Sequence, residues 1–238
     1  MNIKENDVAV SIIVTTYNQE FYVEKTLNSI LDQITDFKIE IILHDDASTD
    51  DTKSILEKYY KLYPGIIVPI FRSVNIYQQG ISPCVESLKI ANGKYIAICE
   101  GDDYWVDNNK LQKQFDLMEK NIDLSFCCHN AQIYYVNENK TSPFNNSLPS
   151  GRYSTKDLFN KEWFIPTASL FFTKKSLSYF PEWYGEVRSQ DLLTEILASL
   201  HGDFWYDSNT MSVYRKNAIG SISSLPEKPW VYLELRLV

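Results

Sequence analysis

Residues 100–105 read Glu-Gly-Asp-Asp-Tyr-Trp and directly follow an apolar run, Tyr95-Ile96-Ala97-Ile98-Cys99. Two adjacent carboxylates at the end of a buried strand lose much solvation free energy unless something positive sits between them. A hard divalent cation held by carboxylate oxygens, with a phosphate on its far side, is the usual partner. Asp102 and Asp103 are therefore candidate metal ligands. The competing reading is structural, because Asp-Asp after a strand also forms turns and helix caps.

The elements that must position this pair follow from hydrophobic periodicity. Val8 to Thr15 is a nearly continuous β-branched run, the pattern of a strand buried on both faces. Val23, Leu27, Ile30, Leu31 and Ile34 fall at helical spacing and predict a helix from about Glu20 to Gln33. Ile39 to Leu43 reads as a second buried strand, and Ser48-Thr49-Asp50-Asp51 has the Ser-x-x-Asp form of a helix start. Ile66 to Phe71 predicts a third strand, Pro83 to Ala91 a helix, Tyr95 to Cys99 a fourth strand, and Asn109 to Asn121 a helix. Strand and helix alternate to about residue 121, as in a doubly wound α/β half with right-handed crossovers. The second half is less regular. Leu124 to Val136 reads as one or two strands and the Asn-, Ser- and Pro-rich stretch 137–151 as a loop. Glu162 to Thr173 is apolar and partly β, Ser189 to Leu200 a helix, and Phe204 to Arg215 a last strand region. The expected layout is one domain over 1–238. About 8–121 forms one half, about 122–224 the other, and 225–238 an apolar tail ending Trp230 to Val238, read as a docking segment, a truncation or a membrane-surface contact.

Composition narrows the chemistry. A net charge of −8 argues against a nucleic-acid face, which needs excess Lys and Arg. The 44% hydrophobic content supplies a core. Cys84, Cys99, Cys127 and Cys128 lack CxxC spacing and no signal peptide precedes them, so the thiols are expected reduced, mostly buried and cytoplasmic. His44, His129 and His201 are too scattered for a zinc site. None of the eight glycines forms a GxG pair or a phosphate-binding loop, so a bound nucleotide would need its phosphates bridged by metal.

Three segments in order carry a resemblance: Val-Ser-Ile-Ile-Val-Thr-Thr-Tyr-Asn at 10–18, Leu-His-Asp-Asp-Ala-Ser-Thr-Asp-Asp-Thr at 43–52, and Gly-Lys-Tyr-Ile-Ala-Ile-Cys-Glu-Gly-Asp-Asp-Tyr-Trp at 93–105. With Lys110-Leu111-Gln112-Lys113-Gln114 and Ser189-Gln190-Asp191-Leu192, they resemble family 2 glycosyltransferases of the GT-A fold, in the variant similar to bacterial enzymes that build capsule, lipopolysaccharide or related glycans. The resemblance implies an α/β fold with a mostly parallel sheet and a mixed acceptor-side half. It implies inverting transfer from a nucleotide-sugar, with a UDP-sugar expected, to a glycan or lipid-linked acceptor. It implies nucleotide contacts from Thr15, Tyr17, Glu20, Asp46, Asp102 and Arg215, and Mn²⁺ or Mg²⁺ on Asp103 and Asp102. Asp191 would be the general base. Lipid-linked acceptors would bring a cytoplasmic enzyme to the inner membrane face.

Two departures stand out. Lys216-Asn217 follow Tyr214-Arg215 where the family often has His, and the stretch 81–88 lacks the family's common Arg, leaving Arg72 and Lys216 as substitutes. Each site residue also has an ordinary reading. Asp45 and Asp46 suit a turn, Asp191 and Glu20 a first helical turn, Tyr17 a core edge and Arg215 a strand surface. His44 reads as a packed strand-end residue, and burial is the better reading of Trp163 than an acceptor wall. A sugar nucleotidyltransferase and an inactive nucleotide- or carbohydrate-binding module remain alternatives.

Overall fold

The structure, a computed structural model, describes residues 7–161, 163–187, 189–219 and 221. Trp230 to Val238, read above as a docking segment, lies outside them. In the first half, β1 (Val8–Thr16), β2 (Lys38–Asp45), β3 (Ile67–Phe71) and β4 (Tyr95–Ile98) alternate with α1 (Val23–Leu31), α2 (Thr52–Leu62) and α3 (Pro83–Leu88). Then come β5 (Tyr104–Trp105), α4 (Lys110–Lys120), β6 (Phe126–Tyr135), β7 (Lys140–Pro143), β8 (Gly151–Tyr153), α5 (Thr155–Asn160), β9 (Phe171–Thr173), α6 (Gln190–Ser199) and β10 (Phe204–Lys216).

All ten strands form one mixed α/β sheet, ordered β3-β2-β1-β4-β9-β6-β10-β5, with β7 on β6 and β8 on β10. β3, β2, β1 and β4 run parallel, with Ile12 beside both Ile41 and Ala97. β9 is antiparallel to β4 and β6, while β6 and β10 run parallel from Phe204↔Phe126 to Lys216↔Tyr135, irregularly between Asp207 and Ser212. The two sheet faces carry separate cores. One lies under α1, α2 and α4 (Val23, Leu27, Ile30, Leu56, Leu111, Met118). The other lies under α3, α5 and α6 (Leu88, Leu158, Ala198) and includes Phe126, Phe172 and Phe204.

Ser11 is the polar exception in β1. Its hydroxyl donates to Glu40 Oε1 at 2.6 Å and accepts from Gly93 N at 2.7 Å. Glu40 also accepts from Asn92 N at 2.6 Å and Asn92 Nδ2 at 3.1 Å. One buried carboxylate thus ties β1, β2 and the approach to β4 together at the end of the sheet away from residues 100–105. Lys110 is a second buried charge. Its Nζ donates to Gln114 Oε1 at 2.7 Å and lies 4.0 Å from the Trp105 ring centroid, and Gln114 Nε2 donates to Ser169 O at 2.8 Å. Burial pulls this ammonium down to about 7. The Lys110–Gln114 segment therefore forms a structural clamp under β5.

Several boundaries differ from expectation. α1 begins at Val23 rather than Glu20, because the Glu20 carboxylate accepts from Asp51 N at 3.0 Å instead of starting a helix. Ser48 does not cap α2. Its hydroxyl donates to Asp45 at 2.5 Å, and α2 starts after Asp51. The stretch 137–151 is not all loop, since β7 pairs with the second half of β6. Trp163 is 47% exposed, against the expectation of burial.

Glu40→Ala strands Ser11 Oγ and the Asn92 amide in the interior. It is expected to cost about 3 kcal/mol, lowering the thermal midpoint by about 6–12 °C. Thermal denaturation followed by circular dichroism checks this; a shift under ~2 °C contradicts the network's role.

Candidate active site

The turn after β4 is built by close approach. Gly101 N donates to Thr15 O at 3.0 Å, and a Cβ at Gly101 would stand 2.4 Å from Gln19 Oε1 and 2.5 Å from Thr16 Cγ2. Only glycine fits there. The Thr26 hydroxyl of α1 lies 2.8 Å from Gly101 O and 2.5 Å from Asp103 O, locking the turn from below.

β5 then pairs antiparallel with β10 through Tyr104↔Val213 and Trp105↔Ser212. This pairing brings Arg215 to the two acids. Arg215 N donates to Asp103 Oδ1 at 2.9 Å, and its guanidinium donates to Asp102 O. Its Cζ lies 4.5 Å from the Tyr104 ring centroid and 5.1 Å from that of Tyr22. Lys25 Nζ lies 3.7 Å from the Tyr104 centroid.

Asp103 is 1% exposed and its Oδ2 has no hydrogen-bond partner. Burial, followed by the charges of Asp102 and Glu100, pushes its carboxyl well above the usual carboxylate range, with Arg215 opposing. Burial also raises Asp102, opposed by the Ser221 hydroxyl and Arg215. Glu100 is raised by burial and then by Asp102 and Asp191. Asp191, at the start of α6, is raised by burial; backbone N–H groups of the first helical turn and Thr167, whose hydroxyl is 3.4 Å from Asp191 Oδ2, oppose that rise. The structure thus brings Glu100, Asp102, Asp103 and Asp191 into electrostatic contact, with Arg215 against the first pair of aspartates.

This donor set fits a hard divalent cation. A buried carboxylate oxygen without a partner, beside a second carboxylate, supplies the ligands such a cation selects. Among the described residues no group of three or more His, Cys, Asp or Glu side chains is placed to hold a metal ion by itself. An open, two-carboxylate arrangement is how Mg²⁺-type sites use substrate phosphates to complete coordination.

At the ends of β1 and β2, Thr15 and Tyr17 are half-buried and Asp46 is buried. Asp46 accepts from Ile76 N at 2.8 Å and Tyr77 N at 3.0 Å, which anchors the following 3-10 turn Tyr77–Gln79. Each oxygen keeps a further lone pair. Glu20 is turned to the start of α2, away from the four-acid group. Arg72 is engaged by Glu86 at 3.6 Å and donates to His44 Nε2 at 3.4 Å. Lys216 faces the Tyr135 ring. His44 is fully buried and, driven mainly by burial, is pulled down to about 4, hence neutral. The rim closes where a Cβ on Gly185 would stand 1.5 Å from Gly80 O. Tyr184, beside it, lies 2.7 Å from Thr194 Oγ1 and donates to Gln190 O at 3.0 Å.

Sequence reasoning missed Glu100, Lys25, Tyr22, Tyr104 and Thr167. Glu100 and Tyr104 lie inside the motif that was singled out; the others come from elements whose contact depends on the fold.

Open α/β sheets bind ligands beyond the carboxyl ends of their parallel strands, and the paired buried acids follow one such end, that of β4. Residues 11–180 match the family model for glycosyl transferase family 2, and the chain belongs to that family. An uncharacterized protein of Mycobacterium tuberculosis, Rv1520, is 34% identical over 219 residues, covering 89% of this chain and 60% of that protein. This chain therefore spans about three-fifths of the length of that relative. The Escherichia coli protein named UDP-Glc:alpha-D-GlcNAc-diphosphoundecaprenol beta-1,3-glucosyltransferase WfaP is 41% identical over 110 residues, 46% of this chain and 41% of its own. Among solved structures, TarS 1-349 of S. aureus in complex with UDP-GlcNAc superposes with a TM-score of 0.71 at 22% identity, covering 93% of this chain and 62% of that one. The fold is that of TarS.

Asp103→Asn keeps an acceptor for Arg215 N and removes a carboxylate that burial disfavours. The sign follows from the raised folded-state value: above the unfolded value, near 3.9, ionisation costs stability, which Asn removes. The expected result at neutral pH is a ligand-free protein more stable by about 1 kcal/mol, or ~2–4 °C. A lower midpoint by calorimetry contradicts the electrostatic account.

Proposed function

We propose that this chain carries the catalytic domain of an inverting, metal-dependent glycosyltransferase. It moves a sugar from a nucleotide-sugar, a UDP-sugar, to a glycan or lipid-linked glycan acceptor. The observation that carries the proposal is the unpartnered, buried Oδ2 of Asp103 beside Asp102 and Glu100. Family membership and the UDP-Glc-dependent activity for which WfaP is named support the donor and acceptor classes. The TarS complex with UDP-GlcNAc supports a UDP-sugar seat on this fold.

Asp103 and Asp102 would hold Mn²⁺ or Mg²⁺, which when bound neutralises charge on the leaving diphosphate. Arg215 adds a fixed positive charge beside the same two acids. Thr15 and Tyr17 line the nucleoside side, with Tyr17 stacking on the base, and Asp46 accepts the base N3–H on a remaining lone pair. Glu20 acts indirectly by fixing the 50–51 turn next to that pocket. Asp191 takes the proton of the acceptor hydroxyl as that oxygen attacks the anomeric carbon from the face opposite the diphosphate. A raised carboxyl suits this task, because it is a stronger base than an exposed Asp. One base and one displacement invert the anomeric centre, without a covalent intermediate.

Residues 8–121 form the nucleotide-sugar half of this domain and 122–224 the acceptor half. No helix among the described residues is long and apolar enough to cross a membrane. A lipid-linked acceptor would bring the domain to the cytoplasmic membrane face as a peripheral enzyme.

Asp191→Asn is expected to cut transfer by about 10²–10⁴-fold while Mn²⁺–UDP affinity is retained. In the wild type, transfer should fall as pH drops through the raised Asp191 value, above ~3.9, because the base must be ionised. Mn²⁺–UDP affinity should weaken as pH falls, since Asp103, whose carboxyl is raised by burial, must be ionised to ligate; titration calorimetry across pH checks this. UDP binding that ignores metal, or normal turnover by Asp191→Asn, removes the corresponding role.

A further inference from the structure

Trp163 stands 47% exposed, and its ring is fixed. Phe144 lies 4.9 Å away between centroids at 78°, and Tyr214 lies 5.9 Å away at 90°. Phe144 and Tyr214 also meet each other, at 6.1 Å and 76°. Perpendicular packing of this kind orients an aromatic ring. The backbone around the trio is pinned as well. Phe144 N donates to Ala131 O at 2.9 Å, while Asn145 Nδ2 donates to Phe164 O at 2.8 Å and to the Tyr206 hydroxyl at 3.0 Å. An exposed tryptophan held this firmly is pre-ordered without any ligand, which lowers the entropic cost of stacking something on it.

Its place in the fold ties it to the reacting centre. Trp163 is four residues before Thr167, whose hydroxyl faces Asp191, a chain span of at most about 14 Å. Tyr214 directly precedes Arg215, whose backbone N–H binds Asp103. Side chains alternate along β10, so Tyr214 points to the sheet face opposite Arg215. The trio is thus joined along the chain to the residues that touch Asp191 and Asp103.

We infer that Trp163, held by Phe144 and Tyr214, is the platform on which a pyranose ring of the acceptor stacks; this rests on the glycosyl-transfer reading above. The chemistry favours a sugar. One face of a pyranose presents C–H groups of slight positive charge, which match the negative face of an indole, while its hydroxyls point outward. Exposed residues within three positions of the trio, Asn146, Ser147, Lys161 and Lys216, are polar, with Pro143 the apolar exception, as a ring with peripheral hydroxyls requires and as an acyl chain does not. Neither the donor nucleotide nor the metal needs this surface.

The test uses the full chain with Mn²⁺–UDP bound and saturation-transfer NMR with methyl glycosides of glucose, galactose, mannose, rhamnose and N-acetylglucosamine, plus octyl glucoside. At least one methyl glycoside should receive saturation on its ring protons. Its affinity should drop roughly tenfold in Trp163→Ala and recover in Trp163→Phe. Equal binding by wild type and Trp163→Ala, or binding of no methyl glycoside by the wild type, overturns the inference. Saturation confined to the alkyl protons of octyl glucoside overturns it in favour of a lipid contact. Mn²⁺–UDP affinity, measured on each variant, separates the two levels. A wild type that does not bind Mn²⁺–UDP defeats the function proposed above, whereas one that binds it while Trp163 proves indifferent defeats only the platform.

Discussion

A carboxylate that is 1% exposed, with one oxygen lacking any partner, is an unfavourable thing for a protein to hold, and Asp103 is that residue. Much of the neighbouring architecture serves to keep it in place. Gly101 lets the turn press against β1, Thr26 grips two carbonyls from below, and two residues of β5 bind β10 so that the Arg215 amide reaches the other oxygen. Without a counter-ion the burial is relieved by protonation. With one, the low-dielectric surroundings strengthen its attraction. The same site that weakens the ligand-free fold is thereby made strong for an arriving cation and phosphate. Stability comes instead from regions remote from it, such as the carboxylate of Glu40 shared by Ser11 and Asn92 and the two apolar faces of the sheet.

The first half of the chain was legible because β1, β2 and β4 are mostly buried on both faces and stand out as apolar runs, with their helices as periodic stripes; the edge strand β3, with Val68 exposed, is a shorter run. Where the reading missed, a polar side chain had another partner. Glu20 and Ser48 look like helix starters, yet each is used by a neighbouring turn, and α1 and α2 begin later. β5, β7 and β8 are two, four and three residues long and exist through the partners they join; no local pattern of that length identifies a strand. Trp163 defeats the composition rule, since tryptophan is usually well buried, and its exposure depends on which loops flank it.

The site was legible in part. The paired acids at 102 and 103 stand out by residue type and position, and the fold sets Glu100 within electrostatic reach of both Asp102 and the helix-start acid Asp191. Arg215 was identified by its cation, but its backbone N–H is the group on Asp103, which no side-chain argument reaches. Asp46 was read through its carboxylate alone; the two amides of the 76–77 turn that bind it are visible only in three dimensions.

The meeting of Gly80 with Gly185 joins a turn rooted on Asp46 to the segment that leads into α6. Backbone touches backbone there, with no side chain between to yield. A movement of the turn beside Asp46 is therefore felt directly by the stretch before Asp191. Exchange of the 181–187 segment between related chains would have to keep Gly185, where any side chain would drive into the Gly80 carbonyl.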